Sequence, residues 1–155
     1  MTRRPPLNLG NYLPYLINRV GFALVESFTP ELAPHGLDIG MWRVLAALSD
    51  NGSQRQVDLS GLTSTDASTL SRLVSRMVRA GLVTRMRSEK SSREVVVALS
   101  PKGRALGRKL IPIAKRLERV AGAGIPARDM AVVKRALQAM HGNMAAADAA
   151  TPRGR

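Results

Sequence analysis

The segment from Asp66 to Gly81 constrains the fold more than any other stretch of the chain. Leu70, Leu73, Val74 and Met77 fall at i, i+3, i+4 and i+7, the spacing of one helical face. On the same helix Ser68, Arg72, Ser75, Arg76 and Arg79 gather on the opposite side, a surface of cations and small hydroxyls without a carboxylate. The aliphatic side must be buried, so the arginine side must meet solvent or a partner. Apolar residues make up 45% of the chain, enough for a packed core and far above the content of a basic disordered tail.

The flanking sequence supplies the partners for that core. Tyr12, Tyr15, Leu16, Val20, Ala23, Leu24 and Phe28 follow a helical period over 11–28, with Pro14 tolerated in the first turn and Pro30, Pro34 and Gly36 marking a break over 29–37. Asp38 then caps a second helix carrying Trp42, Leu45 and Leu48, stopped by Asn51-Gly52. Ser53 and Gln56 match a capping box for a third helix through Val57, Leu59 and Leu62. Thr63-Ser64-Thr65-Asp66 reads as a tight turn, with Thr65 as the cap of the helix that follows.

After Gly81 the stretches Val83–Arg87 and Arg93–Leu99 read as a hairpin with a polar, basic tip. Ser100-Pro101 gives a cap and a first-turn proline for a fifth helix, with Leu106, Leu110, Ile113, Ala114, Leu117 and Ala121 on one side and a kink expected at Pro112. Gly122 and Gly124 interrupt. A sixth helix starts at Ile125-Pro126 and carries Met130, Val133, Leu137, Met140 and Met144 at alternating steps of three and four, a heptad-like stripe suited to a second copy of the chain. Residues 145–155 read as a fraying tail.

Helix, turn, helix and hairpin over 53–99 are the layout of a winged helix-turn-helix reader. The charge sits where that layout needs it. Between Asp66 and Lys109 lie 11 Lys plus Arg and 3 Asp plus Glu, so +8 of the total +13 is concentrated in these 44 residues. A helix face with three arginines is usually just solvated; the missing acids and the adjoining basic hairpin favour DNA contact here. Ser68, Thr69 and Arg72, near the start of the helix, are placed to reach base edges, and Thr65, Ser75, Arg76 and Arg79 to hold phosphates.

Three stretches carry a resemblance to a known family: Trp42-Arg43-Val44-Leu45; Ser68-Thr69-Leu70-Ser71-Arg72-Leu73-Val74 leading to Gly81-Leu82-Val83; and Val97-Ala98-Leu99-Ser100-Pro101-Lys102-Gly103. With the helix order, which spans roughly residues 11–144, the chain resembles the MarR (multiple antibiotic resistance regulator) family of dimeric winged-helix transcription factors. The fold this implies is mainly α with a small β-hairpin wing: a DNA-binding lobe over 38–100, a helical dimerisation region from 8–29 and 101–146, and a disordered tail over 147–155, all in a single chain of 1–155. The expected dimer residues are Leu16, Leu117, Met130, Val133, Leu137, Met140 and Met144.

The wing of that family usually carries Asp, one further residue and Arg. Arg93 stands at the Arg position here, but Ser91 stands at the Asp position, so Arg93 is less firmly aimed and Lys90 or Arg87 is expected to share its work. The resemblance also implies a cleft for small aromatic or amphipathic acids, with Tyr12, Tyr15, Arg19, His35, Trp42 and Arg43 as its candidate lining and the arginines suited to a carboxylate or a CoA thioester. The function expected is a homodimeric regulator of double-stranded DNA with a pseudo-palindromic operator, a repressor released by ligand. A basic architectural protein indifferent to sequence is the alternative.

Other classes find little support. The chain has no cysteine, no Gly-rich phosphate loop, no metal-ligand spacing and no nucleophile with a base beside it, so no enzyme, cofactor or metal is expected. Aromatics at 3% argue against base stacking on single strands. The basic start lacks an apolar stretch behind it, so a cytoplasmic location is expected.

Overall fold

A computed structural model of the chain describes residues 7–88 and 91–150, Ser92 by its backbone alone. A 3-10 turn at Leu9–Asn11 precedes α1 (Leu13–Leu32) and a second turn, Ala33–His35, precedes α2 (Ile39–Asn51). Then come β1 (Gln54–Arg55), α3 (Gln56–Thr63), α4 (Ala67–Arg79), β2 (Val83–Ser88), β3 (Ser91–Leu99), α5 (Pro101–Ala121) and α6 (Ala127–Ala150). The chain divides into two compact units, 1–118 and 119–155. The fold is mainly helical with a small sheet, as the sequence implies.

Within the first unit, α1 overruns the boundary expected at Phe28. Pro30 lies inside its last turn, and the helix continues to Leu32 because Phe28 and Leu32 are both buried; packing outweighs the one amide that proline removes. The Asp38 carboxylate accepts the Met41 amide at 2.9 Å and caps α2, whose Met41, Val44, Leu45 and Leu48 are buried. Gly52, at φ 74°, ends that helix in a conformation that only glycine adopts cheaply.

Two expected caps are corrected. Ser53 caps nothing: Gln54 and Arg55 pair with Val97 and Val96 as a third strand, so α3 begins at Gln56, two residues later than a Ser53 cap would start it, and no side chain caps it. The sheet runs β1-β3-β2, antiparallel throughout. Asp66, not Thr65, caps α4, its carboxylate accepting the Thr69 amide at 2.9 Å. Thr65 instead turns back on the end of α3, its hydroxyl donating to the Thr63 carbonyl and its own carbonyl accepting from Ser60.

On α4 the expected stripe is the observed one, with Leu70, Leu73, Val74 and Met77 buried. They meet Leu32, Val44, Leu45, Leu59, Val97 and Leu110, so α1 to α5 and the sheet share one core. Ser100 caps α5 as expected: its hydroxyl oxygen accepts the Gly103 amide at 3.0 Å and donates to the Gly81 carbonyl. A methyl group at Gly103 would overlap the Leu82 carbonyl, and one at Gly107 would lie 2.8 Å from Ser49 Oγ. These glycines let α5 lie flush against the start of β2 and the end of α2.

In the second unit, α6 continues to Ala150, beyond the point where the sequence reading placed a disordered tail. Ala145–Ala147, Ala149 and Ala150 explain the extension, since alanine costs least in a helix. Residues 151–155 lie outside the described part. No described helix is long and apolar enough to cross a membrane.

Candidate nucleic-acid interface

The geometry of α4 follows from its burial. With the aliphatic stripe fixed inward, Ser68, Arg72, Arg76 and Arg79 are exposed, and Thr69 and Ser75 are half-buried. The first turn is held by one chain of bonds. Arg72 Nη2 donates to Thr69 Oγ1 at 3.2 Å, and the Thr69 amide and hydroxyl hold the Asp66 carboxyl below the ordinary carboxylate range. Of the residues expected at base edges, Ser68 and Arg72 are exposed, and Thr69 and Arg72 are oriented by hydrogen bonds within the protein.

Further along α4 the cations are less free than the sequence suggests. Arg76 Nη1 pairs with Asp38 Oδ2 at 2.7 Å, tying the middle of α4 to the cap of α2. Ser75 donates to the Ser71 carbonyl at 2.8 Å and accepts from Arg85 Nη2 at 3.2 Å, so its hydroxyl is engaged within the protein. Arg85 also donates to the Ser71 carbonyl at 3.1 Å. Sequence reasoning missed Arg85 as a site residue. Its only signal was strand alternation, which places it between Thr84 and Met86 without showing that it reaches across to α4.

On the hairpin, Arg87 and Arg93 are exposed, the Arg93 amide donates to Ser91 Oγ at 3.4 Å, and Lys90 falls outside the described residues. Arg55 anchors the base of the sheet through Asp58 at 2.6 Å and Glu94 at 3.0 Å; those acids raise its pKa, and Arg55 in turn lowers that of Asp58. The wing is thereby braced against α3.

The six candidate ligand residues are not brought together. Trp42 packs edge-on against Phe28, ring centroids 4.9 Å apart, and both line a cavity of about 200 Å³ with Leu24, Val25, Ile39, Ala114, Leu117 and Glu118. Arg43 borders a different hollow with Trp42, and His35 a third with Lys102 and Lys109. Tyr15 and Arg19 stack on each other, 5.6 Å from guanidinium to ring, far up α1 with the exposed Tyr12. Of the expected dimer residues, Leu117 packs on the core, Leu16, Val133, Leu137 and Met144 are exposed, and Met130 and Met140 are half-buried. Among the described residues no group of acids and histidines could hold a metal.

Known proteins share this arrangement. The MarR family model matches residues 37–95, from the cap of α2 into β3. An HTH-type transcriptional regulator, FarR of Neisseria gonorrhoeae, is 29% identical over 84 residues; the match spans 54% of this chain and 58% of that relative. A MarR family regulator from Silicibacter pomeroyi has a solved structure with TM-score 0.80 and 29% identity, covering 88% of this chain and 92% of that one. BpsR of Bordetella bronchiseptica, whose DNA binding is regulated by 6-hydroxynicotinic acid, superposes with TM-score 0.74 at 25% identity over 83% of this chain and 97% of its own. From the cap of α2 to the braced wing the chain matches the MarR family model, and its fold is that of solved MarR family regulators.

Proposed function

We propose that this chain acts as a homodimeric transcriptional regulator that reads double-stranded DNA. The observation that carries the proposal is the outward face of α4, where Thr69 and Arg72 are set by the Asp66 cap beside the exposed Ser68, over a buried aliphatic underside. In this reading α4 enters the major groove, the hairpin arginines reach the flanking minor groove, and Arg79 neutralises phosphate. Two copies place their α4 helices about 10 base pairs apart on a pseudo-palindromic operator. The exposed apolar residues of α1 (Leu13, Leu16, Ile17, Val20) and of α6 (Val133, Leu137, Met144) support pairing, because a second copy removes them from water.

Ligand control is part of the proposal. The cavity beside Trp42 is mostly apolar and of a size for one aromatic ring, and BpsR gives a precedent for an aromatic acid as effector. An acid that binds one lobe spacing better than another shifts the dimer away from DNA, which makes the protein a repressor released by ligand.

Selection of sites from random duplexes, followed by titration at physiological salt, tests the reading. A dimer should hold its selected site at least about 10³-fold more tightly than random sequence. Equal affinity for both would replace a specific regulator with a basic architectural protein.

A further inference from the structure

We infer a second ligand site, one that takes an oxyanion, phosphate or carboxylate, carried on an apolar group, in the cavity between the end of α2, the end of β3 and the first half of α5. The cavity is about 490 Å³ and opens to solvent. Arg104 and Arg108 line it from successive turns of α5, Ser49 and Ser53 line it opposite, and no acid contributes to its wall. Leu99 and Ile111 supply apolar surface. It is distinct from the hollow beside Trp42, with which it shares no residue.

Four observations support an anion here. Residues four apart on a helix are neighbours, so the two guanidinium groups can close on one ligand. Like charges so placed repel each other, and an anion between them relieves that cost. Arg104 is partly committed, donating Nη1 to the Leu99 carbonyl at 2.7 Å, which orients its planar head at the cavity wall; Arg108 has no hydrogen-bond or ion-pair partner among the described residues. Gly107, between them, brings the α5 backbone against Ser49, so the wall beside the two arginines is closed by backbone and a small side chain and not by an acid. Guanidinium matches phosphate and carboxylate geometry with two parallel N–H donors, and the leucine and isoleucine beside it favour a ligand with an apolar body over a bare ion.

Calorimetric titration of the full-length protein at about 0.15 M salt, where long-range attraction to the basic surface is screened, tests the site. Phenyl phosphate and benzoate are the two probes, and their ratio identifies the preferred oxyanion. Saturable binding of either, weakened about tenfold by Arg108→Gln and by Arg104→Gln, supports the site, the loss of one charge-assisted contact being worth about that factor. Lys109→Gln, a neighbouring cation outside the cavity, should leave binding unchanged. Arg108→Gln removes no internal bond, so its folding is expected to be unaffected, and its unaltered melting curve makes the comparison valid. Binding that ignores both arginine substitutions, or no saturable binding of either probe, overturns the inference. Affinity for selected DNA, measured on the same samples without probe, reports separately on the regulator reading.

Discussion

Asp38 holds two structures at once, and its substitutions separate them. One carboxylate oxygen accepts the Met41 amide at 2.9 Å as the cap of α2; the other accepts Arg76 at 2.7 Å from the middle of α4. Asp38→Asn keeps a cap oxygen and loses the charge, whereas Asp38→Ala loses both. Removing the cap costs about 1 kcal/mol. With side chains 45% and 47% exposed, the ion pair contributes no more than about 0.5 kcal/mol. The alanine variant should therefore lose about 1.5 kcal/mol and melt roughly 3–6 °C lower, and the asparagine variant lose only up to about 2 °C. Scanning calorimetry at one protein concentration checks this. The pH dependence gives a second check. Burial pushes the Asp38 carboxyl up, but the Met41 amide and the Arg76 guanidinium outweigh it, and the net shift is downward. A lowered folded-state pKa gives stability that is complete above the ordinary value of about 4 and is lost as pH falls through the lowered one. The gap between wild type and Asp38→Asn should thus be present at neutral pH and close in strong acid. An asparagine variant as damaged as the alanine variant would refute the division between cap and ion pair.

Five other substitutions probe the reading surface and its support. Arg72→Ala should cost roughly 1–3 kcal/mol on a selected site and much less on random duplex, measured by fluorescence anisotropy; equal losses would make Arg72 a phosphate contact. Arg85→Ala frees Ser71 and Ser75, so it should weaken specific binding about tenfold with little change in melting temperature, and a matching loss of stability would assign Arg85 a packing role instead. Arg79→Ala should lower the slope of log affinity against log salt by about 1, and Arg76→Ala by less, because Arg76 already has Asp38 as a counter-charge. Gly103→Ala drives a methyl into the Leu82 carbonyl and should destabilise by about 3 kcal/mol, seen by urea unfolding; a neutral result would mean that α5 can lift from β2 without cost.

Patterns that depend on one helix alone were legible in the sequence. The α4 stripe, the Asp38 and Ser100 caps and the Gly52 stop are local rules, and each is found in place. Where tertiary pairing decides, local rules failed. Ser53 and Gln56 have the chemistry of a capping box, yet the two residues between them are drawn into the sheet by Val96 and Val97, 41 and 43 positions beyond their partners. Thr65 and Asp66 are both competent caps; Asp66 takes the place, while Thr65 is engaged with Thr63 and Ser60 at the end of α3. The candidate ligand residues were scattered for a related reason: helical spacing places Tyr12 and Trp42 on known faces but does not reveal which cavity, if any, each face lines.

The arginines show most clearly what sequence and structure each contribute. Charge counting finds the surface but treats every cation on it as equivalent, and the structure divides them into those already bonded within the protein, in three ways, and Arg79, which has no hydrogen-bond or ion-pair partner among the described residues. Arg72 is aimed by Thr69 and, through it, by the Asp66 cap; Arg76 is held by an acid; Arg85 is spent on joining the strand to the helix. Each bond fixes a long side chain whose ordering would otherwise be charged against binding, at about 0.5–1.5 kcal/mol per immobilised chain. A surface organised in this way gains specificity where its arginines are already aimed, and affinity only where they remain open to phosphate. On this chain the first group lies in the first half of α4, at Arg72, and the second at its end, at Arg79, so the two properties can be altered by substitutions about two helical turns apart.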